Sequence, residues 1–459
     1  MYLTDRPTLN RATRATVKRR VASTVVLAGI VSMFTDISSE SVSAILPLYL
    51  TAVVGLGPLA YGFIDGIYQG VSALVRILAG WFSDRVDHPK WVAVFGYGLS
   101  AFTRIALIPL HSFAAITGVI TVDRLGKGVR TAPRDALIVA SSEPESLGYA
   151  FGVHRALDTL GAIIGPLLAF FLLSAVSGNS RTAEDFRPIF VASFAAAVIG
   201  LAVLLLFVPD LRPRRSSTPA PAVTADDNSA VAVDRTATDV SRTDRTTTAR
   251  TPKANRPAPT SLKLLADRRF ALLIMAAGVL GVLTVGDGFL YLGLQRRADL
   301  AVEYFPLLYV GTNLAYFVMA VPFGRIADRV GRAKVFLLGH VALVLAYFAA
   351  GGPFAGAEIV LACLLLLGTY YAATDGVLAA LAGGIVEPAA LTSGIATAQT
   401  VQAVARFFSS ILFGISWTLF GPRTAFAIVA VALLVMLPIG WLTLGRTDLS
   451  HRAIRPATL

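Results

Sequence analysis

Two sets of long apolar runs, six in each, constrain this chain more than any other feature. A helix needs about 20 apolar residues to cross a hydrocarbon core of about 30 Å. Runs of that kind lie roughly at 21–52, 58–82, 90–111, 113–137, 148–176 and 187–208, then at 270–295, 303–326, 333–352, 357–382, 389–418 and 424–444. Lipid offers no hydrogen-bond partner to a bare peptide group, so such runs must close their backbone bonds internally as helices. The fold class expected is an all-α polytopic membrane protein with 12 transmembrane helices in two six-helix bundles, 21–208 and 270–444. With 55% apolar residues, 15% charged residues and a mean hydropathy of +0.68, the composition lies outside that of ordinary soluble domains.

The formal net charge of +12 raises nucleic acid as a partner, but the basic residues sit at span ends and in tails, not on one soluble face. Their placement predicts orientation instead, because cytoplasmic connections carry the excess of Lys and Arg. Residues 1–20 and 445–459 are expected to be cytoplasmic tails, and 1–20 carry Arg6, Arg11, Arg14, Lys18, Arg19 and Arg20 against Asp5. The run that follows 1–20 is too long for a signal-peptide core and predicts a retained first helix. The stretch 209–269 is rich in Pro, Thr, Ala, Ser, Asp and Arg; it cannot bury a core and predicts a disordered cytoplasmic linker, whose end at 261–269 has the pattern of a short amphipathic surface helix. The opposite connections are nearly neutral, with Arg423 the one residue against the bias. Both termini are therefore expected inside, in a multi-pass protein of the inner or plasma membrane. Cys363, the one cysteine, excludes an intramolecular disulfide and a cysteine-rich metal site. Neither a metal nor a cofactor is expected.

Two turns between apolar runs repeat each other. Gly324-Arg-Ile-Ala-Asp328-Arg329-Val-Gly331-Arg332-Ala-Lys334 has an earlier counterpart in Gly80-Trp-Phe-Ser-Asp84-Arg85-Val-Asp87-His88-Pro-Lys90. Together with the six-plus-six arrangement, this turn resembles the loops between helices 2 and 3 and helices 8 and 9 of the major facilitator superfamily of secondary transporters. The likeness spans nearly the whole chain outside tails and linker. Arg124-Leu-Gly-Lys127-Gly128 is similar to the superfamily's Arg, two residues, Gln, Gly motif, with lysine in place of glutamine. Gly161-Ala-Ile-Ile-Gly165-Pro166 resembles its glycine-proline antiporter motif, with Ala169 where a further glycine is usual. The first turn departs at Asp87 and His88. The resemblance implies two bundles that rock around a central cavity, a gating role for the turns, and assistance to proton movement from Arg124. No enzyme is implied, and no Gly-rich phosphate loop for ATP is found.

Ionisable groups at membrane depth cost about 2.5 to 3.5 kcal/mol each on insertion scales, so they mark a pathway or a paired lock. Asp36 and Glu40, four residues apart in the first span, share a helix face, and together they hold a proton more readily than either alone because double ionisation is penalised. The alternative is pairing with an arginine. Asp65, Gln69, Ser72 and Arg76 draw one polar stripe down the second span, and Arg76 has Asp36 or Asp123 as possible partners. Arg104 with Asp123 and Arg124 fits either proton handling or an interhelical salt bridge, while Lys127, Arg130 and Arg134 are expected at the cytoplasmic rim. His154 and Asp158 lie one turn apart, as in a proton relay; a solvated histidine is the plainer reading.

In the second half Asp287 and Asp375 are the expected buried acids, with Arg406 as counter-ion. Tyr309, Asn313, Tyr316, Tyr370, Tyr371, Gln399 and Gln402 supply surfaces suited to an amphiphilic organic ligand. The function expected is proton-coupled efflux of small amphiphilic or cationic compounds by a protein working as a monomer. Import of a sugar, organic acid or amino acid with protons is the alternative, and a non-transporting receptor or scaffold is a third reading from another class.

Overall fold

The structure, a computed structural model, describes residues 22–83, 88–142, 147–176, 182–210, 264–386 and 391–452. Its elements in order are α1 (Ser23–Leu48), continued by a π-helical turn at Tyr49–Val53, then α2 (Pro58–Ser83), α3 (Pro89–Ala106), α4 (Phe113–Ser141), α5 (Leu147–Ser174) and α6 (Ala183–Phe207). The second half runs α7 (Arg268–Val282), α8 (Asp287–Ala298), a 3₁₀ turn at Val302–Tyr304, α9 (Phe305–Val330), α10 (Arg332–Gly351), α11 (Ala357–Ile385) and α12 (Leu391–Arg452). No strand occurs among the described residues. Eight candidate spans among them are long and apolar enough to cross a membrane. The stretch Phe113–Ser141 is not one of these, because it carries six ionisable side chains between Asp123 and Asp135.

Local chemistry sets the helix ends. The Ser112 hydroxyl accepts from Ala115 N at 3.3 Å to open α4, Thr182 and Asp185 form a capping box at α6, and Pro89 occupies the first turn of α3. Gly331, at φ 120°, supplies the reversal between α9 and α10 inside the repeated turn, a backbone geometry that side chains with a Cβ rarely adopt. The expected amphipathic helix near 261–269 falls partly outside the described residues; Leu264 is helical, the chain turns at 265–267, and Asp267 accepts from Arg269 N at 2.8 Å as the cap of α7.

One run departs from the expected helices. The seventh breaks at 283–286, where Val285 N donates to Tyr347 Oη at 2.7 Å, so a tyrosine from α10 satisfies an amide that the break has freed. Asp287 thereby becomes the first residue of α8. The last two runs are two helices that meet at Gly421, whose non-helical φ 79° and ψ 167° break the path ahead of Pro422; the label α12 covers both. Of the expected tails and linker, 1–20, 211–263 and 453–459 lie outside the described residues, as do Asp84 and Arg85.

Small residues set how closely the helices meet, since lipid removes the hydrophobic drive between them. A Cβ on Gly161 would strike the backbone of Met33, and one on Gly165 would come within 2.9 Å of Ile37 O, so α5 presses on α1 through this pair. Across the two halves, a Cβ on Gly62 would strike Ser410 O, and one on Gly414 would lie 2.7 Å from Pro58 O. The first half of α2 and the middle of α12 are thus in backbone contact, and Phe170 and Tyr304 stack at 6.0 Å near the same end. The two bundles are closed together at the end that carries Pro58.

Candidate functional site

Beneath that closure lies a cavity of about 200 Å³, lined by both bundles. Glu40 and Ser43 enter from α1, Asp65 and Gln69 from α2, Lys127 from α4, Asp287 from α8, and Tyr309 with Asn313 from α9. Its walls include the rings of Tyr61, Tyr68 and Tyr309. Asp65 accepts a hydrogen bond from Ser410 Oγ at 2.6 Å, and its carboxylate packs on Gly286, just ahead of the α8 N-terminus. Asp287 accepts from Tyr371 Oη at 2.6 Å. Glu40 faces the Lys127 ammonium at 4.0 Å. Three carboxylates therefore converge on one aromatic-walled space, and each is met by a hydrogen-bond donor or an ammonium.

Asp36 has turned from Glu40 toward α5. Its carboxyl group faces that of Asp158 across the α1–α5 contact, close enough for the two acids to interact strongly. Asp158 also stands 4.0 Å from Arg134 Nη1. The expected His154–Asp158 pairing gives way to another: His154 is buried, and its Nε2 bonds to Ser32 Oγ at 3.0 Å, which in turn accepts from Arg134 at 3.2 Å. The two first-span acids thus face different helices, Asp36 toward α5 and Glu40 toward Lys127 of α4.

Lys127, Arg130 and Arg134, expected at the rim, turn into the bundle. Lys127 reaches the cavity, Arg130 is buried over the Tyr97 ring at 4.6 Å, and Arg134 is half-buried against Ser32 and Asp135. Helical periodicity decides this, because 127, 130 and 134 share a face with Asp123. Asp123 is fully committed: Arg104 Nη2 donates to it at 2.8 Å, Arg124 donates from the adjacent position, and all three side chains are buried. Arg124 also lies 3.7 Å over the Tyr68 ring. This is the interhelical salt bridge among the readings left open by the sequence. The Arg76 side chain lies outside what is described.

In the second bundle Arg406 donates to Tyr370 Oη at 3.3 Å and lies 5.7 Å over Tyr371, in place of an ion pair with Asp287 or Asp375. Asp375 is exposed, not buried, as is Arg155 across from it on α5, and Gln399 is exposed as well. Asp375 lies within electrostatic reach of both Arg155 on α5 and Arg406 on α12. In the second repeated turn, Asp328 accepts from Arg332 at 3.3 Å, Arg332 donates to Ala380 O at 3.0 Å, and Arg329 is exposed. Gly324 has open space around it, and Gly80 lies in α2. Pro166 sits inside α5. Ser410 was the partner the sequence did not single out, because a serine in an apolar helix carries no signal until its neighbour is known; Tyr371, read there as ligand-facing surface, is a donor to Asp287. Among the described residues no group of His, Cys, Asp and Glu is suited to hold a metal ion.

The sequence profile described as Major Facilitator Superfamily matches residues 28–311 and 289–459. The chain belongs to that superfamily. It is a secondary transporter of the superfamily's fold, 28% identical over 349 residues to an uncharacterized MFS-type transporter of Methanocaldococcus jannaschii, covering 72% of this chain and 74% of that one. A multidrug resistance protein of Proteus mirabilis is 25% identical over 189 residues, 40% of this chain and 44% of the relative. Among solved structures, a mutant of the nucleoside transporter NupG superposes with a TM-score of 0.73 at 13% identity, over 92% of this chain and 99% of that one. A POT family transporter in complex with 5-aminolevulinic acid superposes with a TM-score of 0.70 at 12% identity, over 93% and 96%. At such identities the structural likeness is one of fold, and this superfamily chain shares it across nearly its whole length.

Proposed function

We propose that the chain exchanges protons for small amphiphilic cations and exports them across the cell membrane, with both termini in the cytoplasm and the monomer as the working unit. The observation that carries this reading is the meeting of Glu40, Asp65 and Asp287, from both bundles, at one cavity walled by tyrosines. Carboxylates supply the countercharge, and ring faces attract a cation by about 0.5 to 2 kcal/mol each. Similarity to a multidrug resistance protein supports export over uptake. In the orientation read from charge, closure at the Pro58 end makes this the inward-open arrangement, with the repeated turns closing the opposite end in the other state.

Purified protein in proteoliposomes tests it with 1-methyl-4-phenylpyridinium, a fixed cation. Vesicles acidic inside should accumulate it, and a protonophore should abolish accumulation. Asp287→Asn should lower uptake at least tenfold. Accumulation only into vesicles acidic outside would mark a symporter, and no movement under either gradient would remove the reading. Symport has one observation of its own: Lys127 in the cavity offers an ammonium to a substrate carboxylate.

A further inference from the structure

Asp36 and Asp158 lie outside the cavity, yet they are one lysine away from it. The contact depends on the glycine motif: α5 meets α1 through Gly161 and Gly165, and the bond of His154 to Ser32 brings together the turns that next carry Asp158 and Asp36. On the other side of Asp36, Lys127 projects from α4 between this pair and Glu40, within electrostatic reach of both acids. A second, independent feature points the same way. Arg130 Nη1 is buried, lacks a hydrogen-bond partner among the described residues, and belongs to a side chain within electrostatic reach of Asp36. A buried guanidinium nitrogen without a partner is costly, and an ionised Asp36 would supply the missing charge.

We propose that Asp36 and Asp158 together form the transported proton's binding site, and that Lys127 transmits its occupancy to the substrate cavity by switching between Glu40 and Asp36. The proposal rests on the cation-exchange reading above. With one proton between the two acids, the pair carries a single negative charge and Lys127 stays on Glu40, as in this structure. When the proton leaves to water, the pair carries two negative charges, and the ammonium moves one helical turn, about 6 Å along α1, to Asp36. Glu40 is then an unpaired carboxylate facing the cavity, and a monovalent cation takes its place beside it. The site's net charge is the same with a proton or with the cation, so the exchange is one for one and electrically neutral. The other charged groups facing the pair are Arg130 and Arg134 from α4 and His154 and Arg155 from α5; along 188–207, α6 carries none.

Binding of 1-methyl-4-phenylpyridinium to the purified protein at pH 6 and pH 8 is the test. One-proton competition makes binding tighter as pH rises, by up to roughly tenfold per unit. The two acid variants should lose this dependence in opposite ways. Asp36→Asn leaves Lys127 on Glu40 and should bind weakly at both values. Asp158→Asn leaves Asp36 ionised, draws Lys127 to it, and should bind tightly at both. Lys127→Gln keeps both acids, frees Glu40 and should also bind tightly without pH dependence, which decides the matter if an acid variant fails to fold. Wild-type competition that persists unchanged in these variants overturns the proposal and leaves cation exchange standing. A wild type that binds no cation, or binds it independently of pH, overturns the cation-exchange reading and this proposal with it.

Discussion

Ser410 donates to Asp65 from the opposite bundle, 345 residues away in sequence, at 2.6 Å. Both residues are buried, and Gly62, one turn earlier on α2, lets the α12 backbone come close enough for the bond to form. Since the bundles are closed at this end, the bond belongs to one of the two states that a rocking transporter visits, and breaking it is part of opening.

Ser410→Ala should therefore shift the balance of states. A hydrogen bond to a charged group contributes about 1.5 to 3 kcal/mol, enough to change a two-state ratio by roughly 10- to 150-fold. Spin labels at Thr51 and Arg423 should gain a longer-distance population by electron–electron resonance. An unchanged distribution would mean that the bond carries no share of the closure.

Gly62→Ala should act in the same direction for a steric reason. Its new methyl would meet Ser410 O, and overpacking of this kind costs about 1 to 3 kcal/mol. The pair is too close for independent effects, so the double variant with Ser410→Ala should shift the same label distances by less than the sum.

Asp123→Asn should harm the folded protein more than its transport chemistry. The change strands Arg104 and Arg124, both buried, and removing one member of a buried pair costs about 3 to 5 kcal/mol. Melting in detergent should fall by many degrees. A variant with wild-type melting and no transport would assign Asp123 to proton handling instead.

Asp328→Asn should do the reverse. Exposed itself, Asp328 has as its partner in this state Arg332, four residues on, and such i,i+4 surface pairs contribute about 0.3 to 0.5 kcal/mol. Melting should barely change, while turnover should fall if the turn closes the opposite end in the other state. Full turnover would remove the gating role.

The orientation can be read directly. A phosphatase active only outside the cytoplasm, fused at residue 230, should be silent, and one fused at Gly55 should be active. The reverse pattern would invert every assignment of inside and outside.

Helix placement was legible because it depends on neighbours in sequence: a run of apolar residues must close its own hydrogen bonds in lipid. The stripe on α2 was legible for the same reason, and Asp65 and Gln69 both line the cavity. Partner choice was not. Whether Asp36 meets Glu40 or Asp158 depends on how far α5 advances on α1, and whether Lys127 snorkels or turns inward depends on helix rotation. The break at 283–286 was hidden because its composition is apolar. What stabilises it is a tyrosine from α10, more than 60 positions on.

Arg297, at the end of α8, donates to the carbonyls of Ala349, Ala350, Gly352 and Phe354 at the end of α10. That fork bolts the short half-helix to its neighbour, and among the described residues the other half, α7, has no such rivet to α10. Thr284 to Gly286 is consequently the joint of a jointed rod: motion in the second bundle can swing α7 with α12 while α8, and Asp287 with it, stays fixed to α10. The carboxylate that meets the substrate would then be a stationary anvil, and the doorway would move around it.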